Sequence, residues 1–360
     1  MRIDDVRTEW LRVPFSPPIA DATHVLRVLD LIVVNVHAGD HVGTAYMLSF
    51  DYAPLLLKGI IDHELKRYVV GCPADDIRAI YEQNLRVTEY IGSEGLAMWG
   101  TSAIDVALWD LLARRLGVPA AILFGRYHSA VPVYGSGGWI SYSDEELASE
   151  VNRYVERGFS GVKIKIGSLQ EDRDIERIRE VRRLIGPRRK LMVDANQGLT
   201  LERALRLARK VEDCRLDWLE EPFPKNDLDS YARLAAATDI PLAAGEREFG
   251  VSPFYRMAKT RSVSVMQPDL LRAGGVTGWR LIASLAEAHL LRLAPHFYRE
   301  YDLHLAAAQP NLVAIESFDW LSDLLDTPFE IRDGCAVLPD RPGFGVAFRS
   351  DAIQEFRVAC

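Results

Sequence analysis

The chain has 360 residues, 48% of them hydrophobic, and its 43 Lys and Arg against 51 Asp and Glu give a formal net charge of −8. That length and composition are sufficient for a large core and for more than one domain. An acidic chain without a basic stripe is not typical of proteins that bind nucleic acid. Its apolar stretches are broken before the roughly 20 residues that a membrane span needs. We therefore expect neither nucleic acid nor a membrane as a partner.

The first residues of the chain and its cysteines indicate the cellular compartment in which we expect the protein. The first residues, Met-Arg-Ile-Asp-Asp-Val, lack the apolar segment of a signal peptide. The cysteines have no paired spacing, and they stand at Cys72, Cys214, Cys335 and Cys360. We interpret them as free thiols in a reducing cytoplasm.

The first part of the chain, residues 1–128, is predicted to be a small α+β domain. Val25–Val36 is rich in β-branched residues and leucine, and Val42–Met47 follows a turn signal, so both are predicted strands. Apolar residues at helical spacing then predict helices over 53–70, 74–90 and 95–116. Gly117 supplies the stop signal for the last of these helices.

The second part of the chain alternates strand-like runs with helical patterns. Eight runs are strand-like: Val131–Tyr134, Gly161–Ile166, Lys190–Val193, Leu216–Leu219, Pro241–Ala244, Ser262–Met266, Leu291–Ala294 and Leu312–Ile315. Helical spacing lies between them, for example over Asp144–Arg157 and Asp172–Leu184. Eight strand–helix units predict an α/β barrel, which we assign to residues 129–320. Residues 321–360 are irregular and strand-like, and we expect them to return to the first domain.

Three acidic residues each close one of these apolar runs at equal intervals. Asp194, Glu220 and Glu246 are separated by steps of 26 residues, which fit one strand, one helix and two short loops. The carboxyl ends of barrel strands open on one face, where active sites lie. Three carboxylates at one point would repel each other, and a hard divalent cation relieves that repulsion. The spacing therefore predicts a Mg²⁺ site.

Two lysines on the second predicted barrel strand are candidate catalytic groups. Side chains alternate along a strand, so Lys163 and Lys165 share one face while Ile164 and Ile166 face the outer helices. Two neighbouring ammonium groups disfavour each other's charge and lower a pKa. A lysine with a lowered pKa can serve as a general base near neutral pH.

The last three predicted strands carry further candidates. Asp269 and His296 close the sixth and seventh runs, so the carboxylate is expected to lie beside the imidazole, orient it and raise its basicity. Glu316 closes the eighth run and, if protonated, would donate a hydrogen bond to negative charge that develops on a substrate. Ser136, near the end of the first run, is a candidate substrate contact.

Together these motifs resemble the enolase superfamily, in particular its mandelate racemase subgroup, over nearly the whole chain. The motifs that carry the resemblance are Lys163-Ile-Lys165, Asp194-Ala-Asn196, Glu220-Glu221-Pro222, Gly245-Glu246, the Asp269 and His296 pair, and Glu316. The resemblance implies a modified (β/α)7β TIM barrel with an N-terminal α+β capping domain that the C-terminal segment completes.

The resemblance also implies roles for these residues. Asp194, Glu220 and Glu246 would bind Mg²⁺, and Lys163 would help to hold the substrate carboxylate. Lys165 would remove the α-proton from one face, and His296 would act on the other. The same resemblance implies enediolate chemistry, with Asp269 supporting His296 and Glu316 bonding to the intermediate. Further substrate contacts are expected at Ser136, Asn196, His24 and Tyr46. Arg247, directly after the third metal ligand, is expected to pair with a second substrate carboxylate.

Two reactions follow from this chemistry, and the residues leave both open. Subgroup frequency favours acid-sugar dehydration to a 2-keto-3-deoxy acid, whereas racemisation or epimerisation of an α-hydroxy acid, or cycloisomerisation of a sugar acid, is the alternative. The expected specificity loops, residues 15–26 and 46–54, are more apolar than a polyol site requires. A barrel that only binds or supports other molecules is disfavoured by the intact motifs. We expect a small-molecule carboxylate substrate and a homo-oligomer, from dimer to octamer.

Overall fold

The computed structural model describes residues 1–326 and 329–359, so Cys360, one of the four predicted free thiols, lies outside the described residues. Cys72, Cys214 and Cys335 are free thiols, as expected. The chain begins with a three-stranded antiparallel sheet in the order β1 (Asp5–Ala20), β2 (Val25–Ala38) and β3 (His41–Ser49). Five helices follow, of which α1 and α4 pack on this sheet: α1 (Pro54–Gly59), α2 (Lys66–Val69), α3 (Ile77–Thr88), α4 (Leu96–Leu116) and α5 (Ala120–Leu123). A π-helical turn, Ile60–Leu65, joins α1 to α2, and a 3-10 turn, Glu89–Ile91, follows α3.

The barrel strands are parallel and follow one another around the barrel: β4 (Ala130–Gly137), β5 (Gly161–Lys165), β6 (Lys190–Asp194), β7 (Trp218–Glu220), β8 (Leu242–Ala244), β9 (Val265–Met266), β10 (Arg292–Leu293) and β11 (Ile315–Ser317). The barrel closes where β11 pairs with β4 and where a parallel bridge joins Leu293 to Leu312. The connecting helices are α6 (Asp144–Glu156), α7 (Glu171–Ile185), α8 (Leu201–Lys210), α9 (Leu228–Ala235), α10 (Ser252–Thr260), α11 (Leu270–Ala273), α12 (Gly275–Ala288) and α13 (Arg299–Ala306). A 3-10 turn, Glu212–Cys214, follows α8. The predicted modified (β/α)7β barrel is confirmed.

The last segment of the chain packs against elements that come earlier in the sequence. The short strands β12 (Ile331–Arg332) and β13 (Cys335–Val337) form a hairpin, and β13 pairs antiparallel with the start of β4. The helix α14 (Ser350–Phe356) packs against β1, and a bridge joins Arg357 to Leu11. The C-terminal segment therefore completes the capping layer, as expected.

Local sequence signals explain where several of these elements begin and end. Ser143 accepts a hydrogen bond from the backbone N–H of Glu146, whose side chain bonds back to Ser143, and this capping box begins α6. Gly117 ends α4 in the left-handed conformation at a φ of 69°, a position that glycine occupies without steric cost.

The barrel interior is filled by its own small core. The buried side chains there are Tyr134, Met192, Trp218, Ala243, Val265, Ala294 and Ala314. The rings of Tyr134 on β4 and Trp218 on β7 lie 5.5 Å apart, although these strands are not neighbours, so the contact crosses the barrel. Because side chains alternate, residues two positions further along each strand also point inward, above this layer. The core thus forms the floor of the site at the carboxyl ends.

Helix α4 is the element that joins the sheet of the first domain to the barrel. Within the described residues it is the one helix with the length and mean hydropathy of a membrane span, although Asp105 and Asp110 interrupt its apolar residues. Of its most apolar 18-residue window, 78% is buried inside the fold. Two buried carboxylates on α4, Asp105 and Asp110, have their oxygens bonded across to other elements.

Asp105 connects α4 to the first turn of the barrel helix α12. Its carboxylate accepts hydrogen bonds from the backbone N–H of Thr277 at 3.0 Å and from the hydroxyl of Thr277 at 2.5 Å. A Cβ on Gly275 would lie 2.6 Å from an Asp105 oxygen, so this close approach requires glycine there. Asp105 therefore caps a helix of the other domain.

Replacing Asp105 by Ala is expected to destabilise the protein, because it leaves buried N–H groups of α12 without an acceptor. The cost should be about 1–3 kcal/mol, seen as a lower thermal midpoint. Asp105→Asn keeps one acceptor oxygen and is the control that should lose less. If Asp105→Ala had the same thermal midpoint as the unmodified protein, the cap would not contribute to stability.

Candidate active site

The strand register brings the predicted acids and bases to one end of the barrel. Lys165 pairs with Asp194, Asp194 pairs with Glu220, and Ser136 pairs with Lys163 across neighbouring strands. All of these side chains are buried. Buried charges are costly unless they are paired, so their concentration here requires mutual compensation.

The three carboxylates spaced by 26 residues converge. Asp194, Glu220 and Glu246 each offer an oxygen, and these oxygens lie within 4.8 Å of one another. Asp194 accepts from the backbone N–H of Asn196 at 2.8 Å, and Glu220 accepts from Trp218 Nε1 at 2.8 Å. These bonds hold two of the three carboxylates in place.

The donor set fits a hard divalent cation. Carboxylate oxygens are the ligands that Mg²⁺ prefers. The Oε2 atom of Glu246 is buried and has no hydrogen-bond partner among the described residues, an arrangement that a cation would satisfy. Burial raises the pKa of Glu220 to about 7, despite the opposing charge of Lys163, which reflects the cost of collecting three negative charges here.

The two lysines differ from the expectation of a lowered pKa. Burial works to lower the pKa of Lys163, but Glu220 and Glu316 outweigh it and raise the pKa well above its usual value. For Lys165, burial and the charge of Lys163 lower the pKa, and Asp194 more than reverses both effects. The Lys165 ammonium lies 2.5 Å from Asp194 Oδ2. The expectation considered the lysines alone, whereas each one faces a carboxylate.

The predicted pair of Asp269 and His296 is present. His296 Nδ1 lies 2.9 Å from Asp269 Oδ2, so the ring donates from Nδ1 and presents Nε2 to the site. Nε2 is 3.3 Å from Glu246 and 4.0 Å from Glu316. Burial lowers the pKa of His296, but Glu246 and the bond to Asp269 give a net increase. Asp269 is fixed in turn by the backbone N–H of Leu271 at 3.0 Å.

Glu316 is held differently from the protonated acid that the sequence suggested. Its Oε1 lies 2.7 Å from the ammonium of Lys163, and its Oε2 accepts from the backbone N–H of Phe297 at 3.1 Å. Burial raises the pKa of Glu316, but Lys163 and His296 lower it overall, which disfavours the protonated form. The expectation omitted the neighbouring lysine.

The candidate substrate contacts divide into two groups. Asn196, His24 and Arg247 line the cavity at the carboxyl ends, whose volume is about 180 Å³. Tyr46 does not: it is buried, and its hydroxyl donates to Glu300 at 2.8 Å. Ser136 lines a separate cavity of about 560 Å³, and its buried hydroxyl has no partner among the described residues.

Arg247 is not free to take a second substrate carboxylate. Its Nε atom lies 2.9 Å from Glu221 and 3.5 Å from Glu246. Glu221, the residue after Glu220, also contacts Gln197 at 3.3 Å. The Arg247 charge is therefore already compensated by the protein.

An aromatic wall forms one side of the catalytic cavity, and of its rings only Phe50 lies in an expected specificity loop. Its rings are Phe50, Trp139, Phe297, Phe318 and Trp320. Phe318 and Trp320 stack with centroids 4.4 Å apart, and Trp139 stacks on Trp320 at 5.6 Å. Trp139 also lies 5.4 Å from the Lys165 ammonium. The available signal was position: Trp139 follows the first barrel strand, while Phe318 and Trp320 follow the last.

Comparison with known proteins finds similar sequences for both domains. Residues 5–125 match a family model described as the N-terminal domain of mandelate racemase / muconate lactonizing enzyme, and residues 146–352 match one described as enolase C-terminal domain-like. The chain is 33% identical to the L-talarate/galactarate dehydratase of Salmonella typhimurium LT2, over 98% of this chain and 92% of that protein. It is 31% identical to the 3,6-anhydro-alpha-L-galactonate cycloisomerase of Streptomyces coelicolor, over 99% of each.

A solved structure extends this likeness to the metal. The crystal structure of the Salmonella typhimurium dehydratase liganded with Mg and L-lyxarohydroxamate has a TM-score of 0.95 with this chain. The identity is 32%, and the match covers 99% of this chain and 93% of that chain. With the converging carboxylates, this comparison supports Mg²⁺ as the cofactor.

Mg²⁺ is expected to raise the thermal midpoint of the protein, and EDTA should reverse the rise. Binding to the folded state alone stabilises by about 2.7 kcal/mol at a free concentration of 100 Kd. Glu246→Gln should lose most of this rise, because it removes the charge of a proposed ligand. Glu248→Gln is the matched control, since Glu248 is buried two residues away and faces Lys225 instead. An equal rise in both variants would contradict the assignment of Glu246.

Proposed function

Because the chain belongs to the mandelate racemase / muconate lactonizing enzyme family of the enolase superfamily, we propose that it dehydrates an acid sugar. The reaction begins with removal of the proton α to the substrate carboxylate and gives a 2-keto-3-deoxy acid. One observation carries the proposal: Lys165 and the Asp269–His296 pair flank the three carboxylates.

Each proposed role follows from a contact. Mg²⁺, held by Asp194, Glu220 and Glu246, would polarise the substrate carboxylate and stabilise negative charge on it. Lys163, between Glu220 and Glu316, supplies a positive charge at the same place. Such fixed charges are usually the largest contribution to catalysis. With a cation held by these carboxylates, Asp194 would no longer be available to Lys165, whose ammonium would then lose its proton to solvent and leave a neutral amine to act as the base.

In the elimination, Lys165 acts as the base and His296, on the opposite side of the site, acts as the acid. Lys165 takes the α-proton, and the electron pair of the broken C–H bond passes to the carboxylate as an enediolate. This pair then forms the carbon–carbon double bond of the enol while the β-carbon–oxygen bond breaks. His296, protonated through its contact with Asp269, gives its proton to the departing hydroxyl, which leaves as water. The enol tautomerises to the 2-keto acid.

Racemisation is the second candidate, and the aromatic wall is the observation that favours it. A substrate without a β-hydroxyl has no leaving group, so the enediolate can only be reprotonated. Protonation by His296 on the face opposite Lys165 would invert the α-carbon. Stacked rings such as Phe318 and Trp320 suit an apolar substituent better than a polyol.

We also propose how the chain is organised beyond the site. Residues 1–128 form the capping domain, 129–320 the barrel and 321–360 the segment returning to the capping domain, a division supported by the packing of α14 on β1 and by the Leu11–Arg357 bridge. We also propose a homo-oligomer, for which the adjacent exposed side chains Tyr90 and Ile91 offer apolar contact surface. The free cysteines support a cytoplasmic location.

The deciding experiment is a screen of sugar monoacids and diacids with Mg²⁺, in which 2-keto acids are detected with semicarbazide. Dehydration predicts a keto acid from at least one sugar acid. A screen without keto acid, together with loss of optical rotation from an aryl α-hydroxy acid, would replace dehydration by racemisation.

The two proposed bases should act on different stereoisomers. In D₂O, Lys165→Ala is expected to lose α-proton exchange with the isomer whose proton faces Lys165. His296→Asn should lose exchange with the other isomer, and Asp269→Asn should resemble it because it removes the support of the ring. Proton NMR measures the loss of the α signal. Loss of exchange with the same isomer in both the lysine and histidine variants would rule out bases on opposite faces.

A further inference from the structure

The charged side chains that line the catalytic cavity are almost all paired within the protein. Arg272 is the exception: among the described residues it has neither an ion pair nor a side-chain hydrogen bond. The others form the pairs Asp21 with His24, Lys165 with Asp194, Arg247 with Glu221, and His296 with both Glu246 and Asp269. A positive charge on the wall of a substrate cavity without a protein partner is available to a ligand.

The position of Arg272 is fixed even though its charge is free. Its backbone N–H donates to Asp269 Oδ1 at 3.0 Å, and its carbonyl accepts from the N–H of Gly250 at 2.9 Å. Its guanidinium carbon lies 5.4 Å from the ring centre of Trp99 and 5.8 Å from that of Phe249. Aromatic rings stabilise a cation without neutralising it. Two rings therefore hold the guanidinium in place beside the Asp269–His296 pair.

Trp99 adds a second unused donor on the same wall. It lines the cavity, and its Nε1 atom is buried without a hydrogen-bond partner among the described residues. A buried donor left unpaired is costly and is rarely kept without a reason. Arg272 and Trp99 thus line the same cavity, one with an unpaired guanidinium and the other with an unpaired indole N–H.

We propose that Arg272, assisted by the indole N–H of Trp99, binds a second carboxylate of the substrate and so selects diacids. The inference rests on the proposed function, since the first carboxylate is the one beside which the α-proton is removed. A guanidinium presents parallel N–H groups that match a carboxylate as two hydrogen bonds, which an ammonium cannot do. Arg272 takes this role in place of Arg247, because the charge of Arg247 is compensated by Glu221 and Glu246.

The test compares sugar acids that differ only at the far end. Galactarate and galactonate share every stereocentre, and one carries a carboxylate where the other carries a hydroxymethyl group. The same comparison is made for the other six-carbon and five-carbon pairs of diacid and monoacid. Exchange of the α-proton in D₂O and kcat/KM are measured with Mg²⁺ for each member.

Arg272→Met removes the charge but keeps an apolar chain between the two rings. Loss of a charged hydrogen bond should lower kcat/KM for the preferred diacid roughly 10- to 100-fold and leave its paired monoacid nearly unchanged. Arg272→Lys keeps the charge without the paired donors and should fall between. Arg280→Met is the matched control, because Arg280 also lies over two rings, Trp109 and Phe124, at 5.6 Å from each, but outside the cavity.

The outcomes separate this inference from the function on which it rests. An equal loss for diacid and monoacid in Arg272→Met, or an unmodified enzyme that prefers monoacids, would overturn the diacid role and leave the proposed function intact. Absence of α-exchange with every pair in the unmodified enzyme would reject the proposed function and this inference with it. The Mg²⁺-induced rise in thermal midpoint, measured on Arg272→Met, checks that the site is still assembled.

Discussion

The balance of charge at the open end of the barrel is the constraint on which the rest of the site depends. Asp194, Glu220 and Glu246 are brought within 4.8 Å in a buried setting, where their repulsion is strong. Lys163 and Lys165 compensate part of it through Glu220 and Asp194. The same contacts that make this cluster tolerable in the folded protein raise the lysine pKa values, so the proposed base is engaged until a ligand competes for its partner.

The register of the paired barrel strands, rather than flexible loops, positions this charged cluster. A floor of apolar side chains crosses the barrel, and the next inward positions on adjacent strands carry the charges. Asp105 and Asp110 of helix α4 then bond to the barrel helix α12 and to the returning segment. Because these links bring the capping loops over the cavity, residues such as Phe50 from the first domain and Trp320 from the barrel meet at 5.7 Å in one wall.

Features that depend on period and order along the chain could be predicted from the sequence, and features that depend on contact between elements could not. The 26-residue interval located three converging carboxylates because each strand–helix unit repeats one geometry. The expected lowering of a lysine pKa was wrong for Lys163, since its partners Glu220 and Glu316 come from other barrel strands that are distant along the chain. Tyr46 was expected near the substrate, yet its strand turns it toward Glu300. To predict this direction from the alternation of side chains along β3, one would have to know which face of the sheet is covered.

The cavity combines two kinds of surface, and this combination limits which substrates fit. One part of the wall, beside Lys165, is aromatic, and another part carries the unpaired guanidinium of Arg272 against Trp99. A sugar acid can present C–H groups to the rings and an anionic end to the guanidinium, whereas an aryl monoacid satisfies the rings and leaves Arg272 without a partner. The charge balance that holds the catalytic groups therefore extends to the substrate: a diacid compensates the one cavity charge that the described protein residues do not. This is the physical reason that the aromatic wall alone does not decide for racemisation.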